Sequence, residues 1–364
     1  MPLPTWLYPT AAGLYCEPGD FYIDPWRPVA RALITHAHTD HARPGCAHYL
    51  TAEENRLLLH ARTGASSIET LAWGERQRIG EVEVSFHPSG HIRGAAQIRL
   101  TYRGEVWVIT GDYKRHADPT TLPFEPLRAH GLISECTFGL PIYQWPDPQK
   151  VLQEIADWWE ACREAGKNAV LYAYSLGKAQ RLLASLPPVG PVYVHGSIAT
   201  LNALYEAEGV ALLPYKPLSA YDKRERGALV IAPPAFQKSR GIERLEPCEE
   251  AQASGWMAIR GRRRQKGLDR GFVLSDHADF PQLWETLRES AAETIIFTHG
   301  YTETMVQLAR MRGYDAYLWE TAYAGEVDVE PDGPFGGLAP DPAPGQLPQE
   351  TPARDRAGLS GAGL

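Results

Sequence analysis

Thr35-His36-Ala37-His38-Thr39-Asp40-His41 places four potential metal ligands within six residues. Just upstream, Arg31-Ala32-Leu33-Ile34 reads as a short apolar strand, so the ligands fall on the loop at its end. Imidazole and carboxylate suit zinc, and a catalytic zinc keeps one coordination position open for water. The His-x-His pair can converge on one ion, and the Asp-His pair that follows can serve a second. A chain with 12 histidines among 364 residues would rarely place three within six positions by chance. The stretch reads as part of a two-metal hydrolase centre, against the plainer alternative of a histidine-rich polar loop.

Further ligands are expected at other strand ends. His91 sits in Pro88-Ser89-Gly90-His91-Ile92-Arg93-Gly94, after a polar–apolar alternating strand over 81–86. Asp112 sits in Ile109-Thr110-Gly111-Asp112-Tyr113-Lys114, after a hairpin built from 97–102 and 105–110 around Arg103-Gly104, and a carboxylate there can bridge two ions. His299 sits in Phe297-Thr298-His299-Gly300. Each has a glycine beside it, which lets backbone approach a crowded centre. Singly, each could be an ordinary loop residue; the repeated pattern of apolar strand, ligand and glycine sets them apart.

The length allows a sizeable core and two domains. With 44% hydrophobic and 22% charged residues the composition is that of a soluble globular protein. No apolar run approaches the ~18 residues that span a bilayer. Met1-Pro2-Leu3-Pro4-Thr5-Trp6 lacks the basic region and apolar stretch of a secretory signal, so a cytoplasmic location without membrane contact is expected. The cysteines Cys16, Cys46, Cys136, Cys162 and Cys248 form no C-x-x-C pair and are expected as reduced thiols.

The net charge of −8 argues against indiscriminate nucleic-acid binding, yet seven acidic residues and two arginines after residue 325 account for −5 of it. The rest is nearly balanced and holds Arg260-Gly261-Arg262-Arg263-Arg264-Gln265-Lys266, which is either a solvated loop or a strip that tracks a phosphate backbone.

Residues 1 to about 140 are rich in strands, with a short strand at 132–134 and a helix expected over 51–61. From about 147 the pattern becomes helix–strand alternation: a helical stripe over 147–165, a strand at 169–173, a helix at 176–186, a strand at 191–194, a helix at 198–208 and a strand at 229–232. Such alternation indicates a parallel, doubly wound α/β sheet. Strands at 271–275, 294–297 and 314–319 then alternate with helices at 280–290 and 302–312. The Pro-, Gly- and Ala-dense tail over 326–364 is expected to be disordered.

The order His-x-His-x-Asp-His, Gly-His, Thr-Gly-Asp resembles the metallo-β-lactamase fold, a sandwich of two β-sheets with helices outside and two zinc ions at one edge. Ser134-Glu135-Cys136-Thr137-Phe138-Gly139 resembles motif A of its β-CASP nuclease branch, Ser275-Asp276-His277-Ala278-Asp279 motif B, and Thr298-His299-Gly300 motif C. Asp24 in Tyr22-Ile23-Asp24-Pro25 matches the family's early supporting aspartate. The similarity spans about 20–320. It implies an α/β αββα sandwich over 1–141 and 269–325, interrupted by a doubly wound β-CASP cap domain over 142–268.

Carried over by motif, the resemblance implies one zinc on His36, His38 and His91 and another on Asp40, His41 and His299, with Asp112 bridging; manganese is an alternative activator. His277 would supply a proton to the leaving group, Glu135 would orient His277, and Asp24 would support a ligand histidine. Arg260, Arg262, Arg263, Arg264 and Lys266 fit the wall of a backbone-binding cleft. Tyr174-Ser175-Leu176-Gly177-Lys178 joins a strand to a helix; its Ser175 and Lys178 would either meet a phosphate or, for Ser175, simply cap the helix. His195 is structural or substrate-lining, and His48, His60, His87, His116 and His130 match no motif.

A small-ester hydrolase and a catalytically dead scaffold are the other readings; motifs A to C speak against the first and the full ligand set against the second. His299 at motif C resembles the RNA-processing branches. Gly255-Trp256-Met257, the 271–277 stretch and Thr110-Gly111-Asp112-Tyr113-Lys114-Arg115 are most similar to the bacterial ligase-associated DNA exonucleases, which implies DNA as substrate, a role in DNA repair, and a DNA ligase and a helicase as partners.

Overall fold

The computed structural model describes residues 3–321, so the tail expected to be disordered lies outside the described residues. β1 (Leu7–Thr10), β2 (Gly13–Cys16), β3 (Phe21–Ile23), β4 (Arg31–Leu33), β5 (His48–Ala52) and β6 (Ile68–Leu71) form a sheet in sequential order. It is antiparallel through β3 and parallel from there on. Helix α1 (Arg56–Thr63) covers its outer face, where Leu59 meets Ala32, Ile34 and Tyr49. The helix expected over 51–61 starts later because Thr51 and Ala52 complete β5. Thr51 Oγ1 donates to Ile34 O at 2.9 Å, and Ala52 pairs with Leu71, so tertiary pairing overrides local propensity.

The second sheet begins with β7 (Gln77–Ile79), β8 (Val82–Pro88), β9 (Ala96–Tyr102) and β10 (Glu105–Ile109), all antiparallel, followed by β11 (Gly131–Cys136) parallel to β10. Arg103 and Gly104 both take positive φ, 49° and 84°, as the tight turn of the expected hairpin requires. Inward residues of the two sheets, Leu14, Ile23, Leu33 and Leu50 with Val84, Phe86, Ile98 and Trp107, share one core.

The chain next builds a separate sheet. α2 (Pro148–Glu164) starts at Asp147, whose carboxylate accepts from Gln149 N–H at 2.9 Å. Then follow β12 (Asn168–Tyr172), α3 (Lys178–Ser185), β13 (Val192–Val194), α4 (Gly196–Ala207), β14 (Lys216–Pro217), β15 (Leu229–Ala232), β16 (Cys248–Ala253), α5 (Arg260–Gln265) and β17 (Arg270–Phe272). The strands are all parallel, in the order β14-β13-β15-β12-β16-β17.

Crossover segments cover both faces of this third sheet, with α2, α3 and α4 gathered on one of them. Leu152, Ile155, Leu182, Leu183 and Ile198 of α2, α3 and α4 pack into one cluster with Ala169, Leu171 and Ile231. The opposite face, Val170, Tyr172, Tyr193 and Val230, is covered by Phe138, Tyr143, Trp256 and Met257 from loops and short turns. β17 pairs with β16, so the third sheet runs past residue 268. β16 carried no apolar run in the sequence; Glu249 instead accepts from Trp158 Nε1 at 3.1 Å and Lys167 Nζ at 3.2 Å, which makes a charged strand tolerable there.

After α6 (Phe280–Ser290) the chain returns to the second sheet with β18 (Thr294–Gly300) beside β11, then α7 (Thr302–Met311) and β19 (Asp315–Leu318). Leu283, Leu287, Met305 and Val306 of these helices cover Val108, Leu132, Ile295 and Phe297, completing helix–sheet–sheet–helix layering. β8, β10, β11 and β18 run in one direction, so their C-terminal ends meet at one edge of the sandwich.

Candidate metal centre

At that edge the residues following β4, β8 and β10 converge with the end of β18. His36 Nε2 lies 3.2 Å from His38 Nδ1, and His91 Nε2 lies 3.0 Å from the same atom. Asp112 Oδ2 is 3.6 Å from His36 Nε2 and 3.7 Å from His91 Nε2. Tetrahedral ligands at zinc's bond lengths of about 2.0–2.1 Å stand about 3.3 Å apart, close to this spacing. On the other side, Asp112 Oδ1 is 3.5 Å from His41 Nε2 and 3.8 Å from His299 Nδ1. Gly111 (φ +55°) makes this approach feasible, since a Cβ there would fall 2.8 Å from Thr35 Cβ.

Hydrogen bonds on the far side of each ring decide which nitrogen faces inward. His38 Nε2 donates to Leu176 O at 3.2 Å and His91 Nδ1 donates to Asp276 O at 2.7 Å, because a carbonyl can only accept. Asp24 Oδ2 accepts from His41 Nδ1 at 2.7 Å and from Thr35 Oγ1 at 2.6 Å. Having given its proton to Asp24, the Thr35 hydroxyl accepts from His36 Nδ1 at 3.1 Å. A neutral imidazole so held presents a bare lone pair inward. Lone pairs 3.0 to 3.2 Å apart repel unless a cation lies among them. His41 Nε2 and Asp112 Oδ1 are buried without a hydrogen-bond partner, facing each other. A metal ion would satisfy both, so the residues present fit the group.

The electrostatics agree. Burial pushes His36 and His91 well below the ordinary histidine range, reinforced by His41 for the first and His277 for the second; burial also lowers His38. Burial alone would lower His41 too, but Asp112, Asp40 and Asp24 outweigh it and lift it to about 10. Burial would raise the Asp112 carboxyl, and the facing imidazoles, His41 foremost, hold it well below the usual carboxylate range. The pocket thus carries negative charge that a cation would balance.

Beside this centre, His277 Nδ1 lies 2.8 and 2.9 Å from the two oxygens of Glu135. Glu135 is itself pinned by Tyr113 N–H at 2.7 Å and Thr137 Oγ1 at 2.6 Å. The His277 and His91 rings stand 4.6 Å apart, and Asp112, Glu135 and His277 group within 4.8 Å.

Of the residues singled out from sequence, His36, His38, His91, Asp112, His41 and His299 are brought together directly. Asp40 lies outside those groups, with Oδ2 3.7 Å from His41 Nε2. Ser175 does not cap α3: Gly177 is its N-cap, and Ser175 Oγ bonds Ser197 Oγ at 3.0 Å. Lys178 is buried, 3.3 Å from Asp276 Oδ2, rather than presented to solvent. His195 caps α4 by accepting from Ser197 N–H at 3.3 Å. The basic run is a helix, α5, not a loop. Arg262 sits 4.2 Å above the Trp256 ring, Trp256 packs on Phe138 at 4.7 Å, and Phe138 stands 5.9 Å from His277.

Sequence reasoning missed Thr35, Leu176 and Arg181. Arg181 Nη1 donates to Asp276 Oδ1 at 2.9 Å and to Ser275 O at 2.6 Å. Thr35 adjoins His36 and invited the question, whereas nothing marks Leu176 in advance. All five cysteines are free, and no helix among the described residues is long and apolar enough to cross a membrane.

No family model matches the chain. It is 32% identical over 314 residues to a protein of Opitutus terrae named a probable DNA ligase, spanning 84% of this chain and 30% of that protein. It is 30% identical over 125 residues to an endoribonuclease of Emericella nidulans, spanning 33% of this chain and 14% of the relative. With a ribonuclease of Thermus thermophilus it shares 23% over 264 residues, 64% of this chain and 59% of the relative. The chain thus spans less than two thirds of each of these relatives. A solved structure of a protein of unknown function from Enterococcus faecalis superposes with a TM-score of 0.56 at 14% identity, covering 81% of this chain and 80% of that one, and so shares the fold alone. The mixed α/β layering is consistent with an α/β metallo-β-lactamase fold. The relatives' names and the buried His/Asp cluster, which could hold metal ions, together suggest the β-CASP metallo-β-lactamase family.

Proposed function

We propose that the chain is a two-metal nuclease that hydrolyses phosphodiester bonds of DNA at the edge where the sandwich meets the third sheet. Asp112 carries this reading: its two oxygens face two separate ligand sets at 3.5 to 3.8 Å. His36, His38 and His91 would hold one ion, Asp40, His41 and His299 the other, with Asp112 shared; zinc suits these donors, and manganese is a candidate activator. Ions held there would supply Lewis-acid chemistry, lowering the pKa of water toward neutrality and balancing charge on phosphate oxygens.

The chain's own groups do the remaining work. Glu135 holds His277 by Nδ1, so Nε2 is the nitrogen that would pass a proton to the nucleotide oxygen as its bond to phosphorus breaks. Asp24 keeps His41 turned inward directly and His36 through Thr35. The exposed Arg260, Arg263 and Arg264 on α5, with Arg262 and Lys266, would follow the phosphate backbone. In this reading the residues from about 142 to the end of the third sheet act as a β-CASP-like cap.

DNA as substrate, action in repair and association with a DNA ligase rest on the motif resemblance to ligase-associated exonucleases; the Opitutus relative, whose match takes in most of this chain, bears the name of a probable DNA ligase. A helicase partner rests on the resemblance alone. A second reading, RNA processing, is favoured by the ribonuclease names of the Emericella and Thermus relatives and by His299. The test is cleavage of matched, end-labelled single-stranded DNA and RNA with zinc or manganese, beside an Asp112→Asn control. A metal-dependent ladder on DNA that the control lacks is expected. Cutting confined to RNA would move the protein to the second reading, and silence on both with full metal occupancy would overturn both.

A further inference from the structure

The turn between β12 and α3, though built on the third sheet, reaches into the metal centre. Its Leu176 carbonyl accepts from His38 Nε2 at 3.2 Å, across 138 residues of chain. Gly177 holds that carbonyl in place: at φ +94° it lets the turn press on the sandwich, where a Cβ would come 2.3 Å from Ile92 Cγ2. Leu176, Ala37 and Ile92 share one buried apolar cluster with Leu58 of α1 and Leu201 and Tyr205 of α4.

A second support lies alongside. The Asp276 carbonyl that accepts from His91 Nδ1 belongs to a residue whose carboxylate is clamped by Arg181 Nη1 at 2.9 Å and Lys178 Nζ at 3.3 Å, both from α3. Arg181 also donates to Ser275 O at 2.6 Å, fixing the backbone that carries the Asp276 carbonyl. Lys114, ion-paired with Asp118, donates to His91 O at 3.3 Å and closes the cluster. His41 and His36, by contrast, are supported by Asp24 from the sandwich itself.

We infer that α3 and the turn before it control metal retention at one of the two positions. Gly177 and Arg181 act as positioning residues for the His38 and His91 rings, so docking of the third sheet and filling of the three-histidine set are one coupled event. The His41–His299 set is independent of them. This inference rests on reading the cluster as a two-metal centre. Arg181→Met takes the group from three cations facing two carboxylates to two facing two, so Asp118 keeps Lys114 and Asp276 keeps Lys178 as partners. Gly177→Ala strikes the other support, so the two variants act through separate contacts.

The experiment loads full-length wild type, Arg181→Met and Gly177→Ala with zinc. It counts bound metal by elemental analysis and follows release to a chromogenic chelator, with thermal unfolding measured on each. Wild type is expected to release two equivalents. In the variants one equivalent should bind roughly 10- to 100-fold more weakly and leave faster, with the second unchanged. Arg181→Lys, which keeps a charge on Asp276, should restore part of the loss. Unchanged release of both equivalents from folded variants would overturn the inference, as would equal weakening of both. Wild type that takes up no metal would instead overturn the reading of the centre on which the inference stands.

Discussion

Filling the centre with two divalent ions near neutral pH should expel a proton from His41, beyond any that metal-bound water gives up. Burial drags His41 down, but Asp112, Asp40 and Asp24 raise it to about 10 in the metal-free protein, so at pH 7.5 it is an imidazolium. His36, His38 and His91 are all lowered, burial being the main cause, and are already neutral there. A metal accepts only the neutral ring, so the His41 position must lose its proton first while the three-histidine set loses none. A group about 2.5 pH units below its pKa gives up its proton at a cost of roughly 3.4 kcal/mol, about 300-fold in affinity.

Affinity at the His41 position should therefore climb about tenfold per pH unit from 7 to 9, and hold nearly level at the other. Titration calorimetry in buffers of different ionisation enthalpy reads the released protons directly. Release of no proton on filling the His41 position, or a metal affinity there that does not change between pH 7 and 9, would refute the reasoning. The sign extends to stability. A pKa raised above its unfolded value stabilises the metal-free fold fully below about pH 6.5, and that stabilisation is lost as pH rises through about 10. Its ceiling is roughly 5 kcal/mol, counted once for the His41–Asp112 interaction, so the metal-free melting temperature should fall between pH 7 and 10.

Glu135→Gln keeps acceptors for Tyr113 N–H and His277 but removes the charge that would steady a protonated His277; kcat should drop roughly 10²- to 10⁴-fold with two metal equivalents still bound, and an unchanged kcat would remove His277 from proton transfer. Arg263→Ala with Arg264→Ala should weaken single-stranded DNA binding and flatten its salt dependence, the slope of log K against log salt falling by about 0.7 for each phosphate no longer neutralised; fluorescence anisotropy over a salt series checks this. Trp159→Ala empties a fully buried site between α2 and the third sheet and loses the bond from Nε1 to Gly227 O at 3.1 Å, so unfolding free energy measured in urea should fall by roughly 3–5 kcal/mol. Asp24→Asn should weaken both ions, since one carboxylate oxygen serves His41 and, through Thr35, His36; elemental analysis showing two tightly held equivalents would contradict that relay.

The sequence was most legible where chemistry and periodicity coincide. The 35–41 run, the Gly90-His91 and Gly111-Asp112 pairs and His299 were readable because histidines and aspartates beside glycine are uncommon after apolar strands, and parallel strands gather their ends at one edge. Boundaries were legible where a cap fixes them, as at Asp147 before α2, and illegible where pairing decides them, as at Thr51 in β5. β16 escaped notice because its Glu249 and Glu250 side chains find partners only after folding brings Trp158 and Tyr172 alongside. The cover of the second face of the third sheet was less legible for a related reason: helix–strand alternation fixes parallel pairing, but the aromatic cover supplied by Phe138 and Trp256 comes from a turn after β11 and a short turn between β16 and β17, which carry no helical period.

The supports of the metal centre were the least legible, and the cause is general. A histidine ligand announces itself by its side chain, while the group that fixes its tautomer can be any carbonyl in the chain. Leu176 and Asp276 serve His38 and His91 through backbone oxygens, so their side chains carry no trace of the task, and 138 and 185 residues separate the partners. What the sequence does carry is indirect: Gly177, needed because no Cβ fits against Ile92, and Arg181, one helical turn on, needed to hold Asp276. These read in isolation as a turn glycine and a helix arginine. Their meaning depends on the packing of α3 against the sandwich, so the histidine cluster they support is specified by two distant stretches of chain at once.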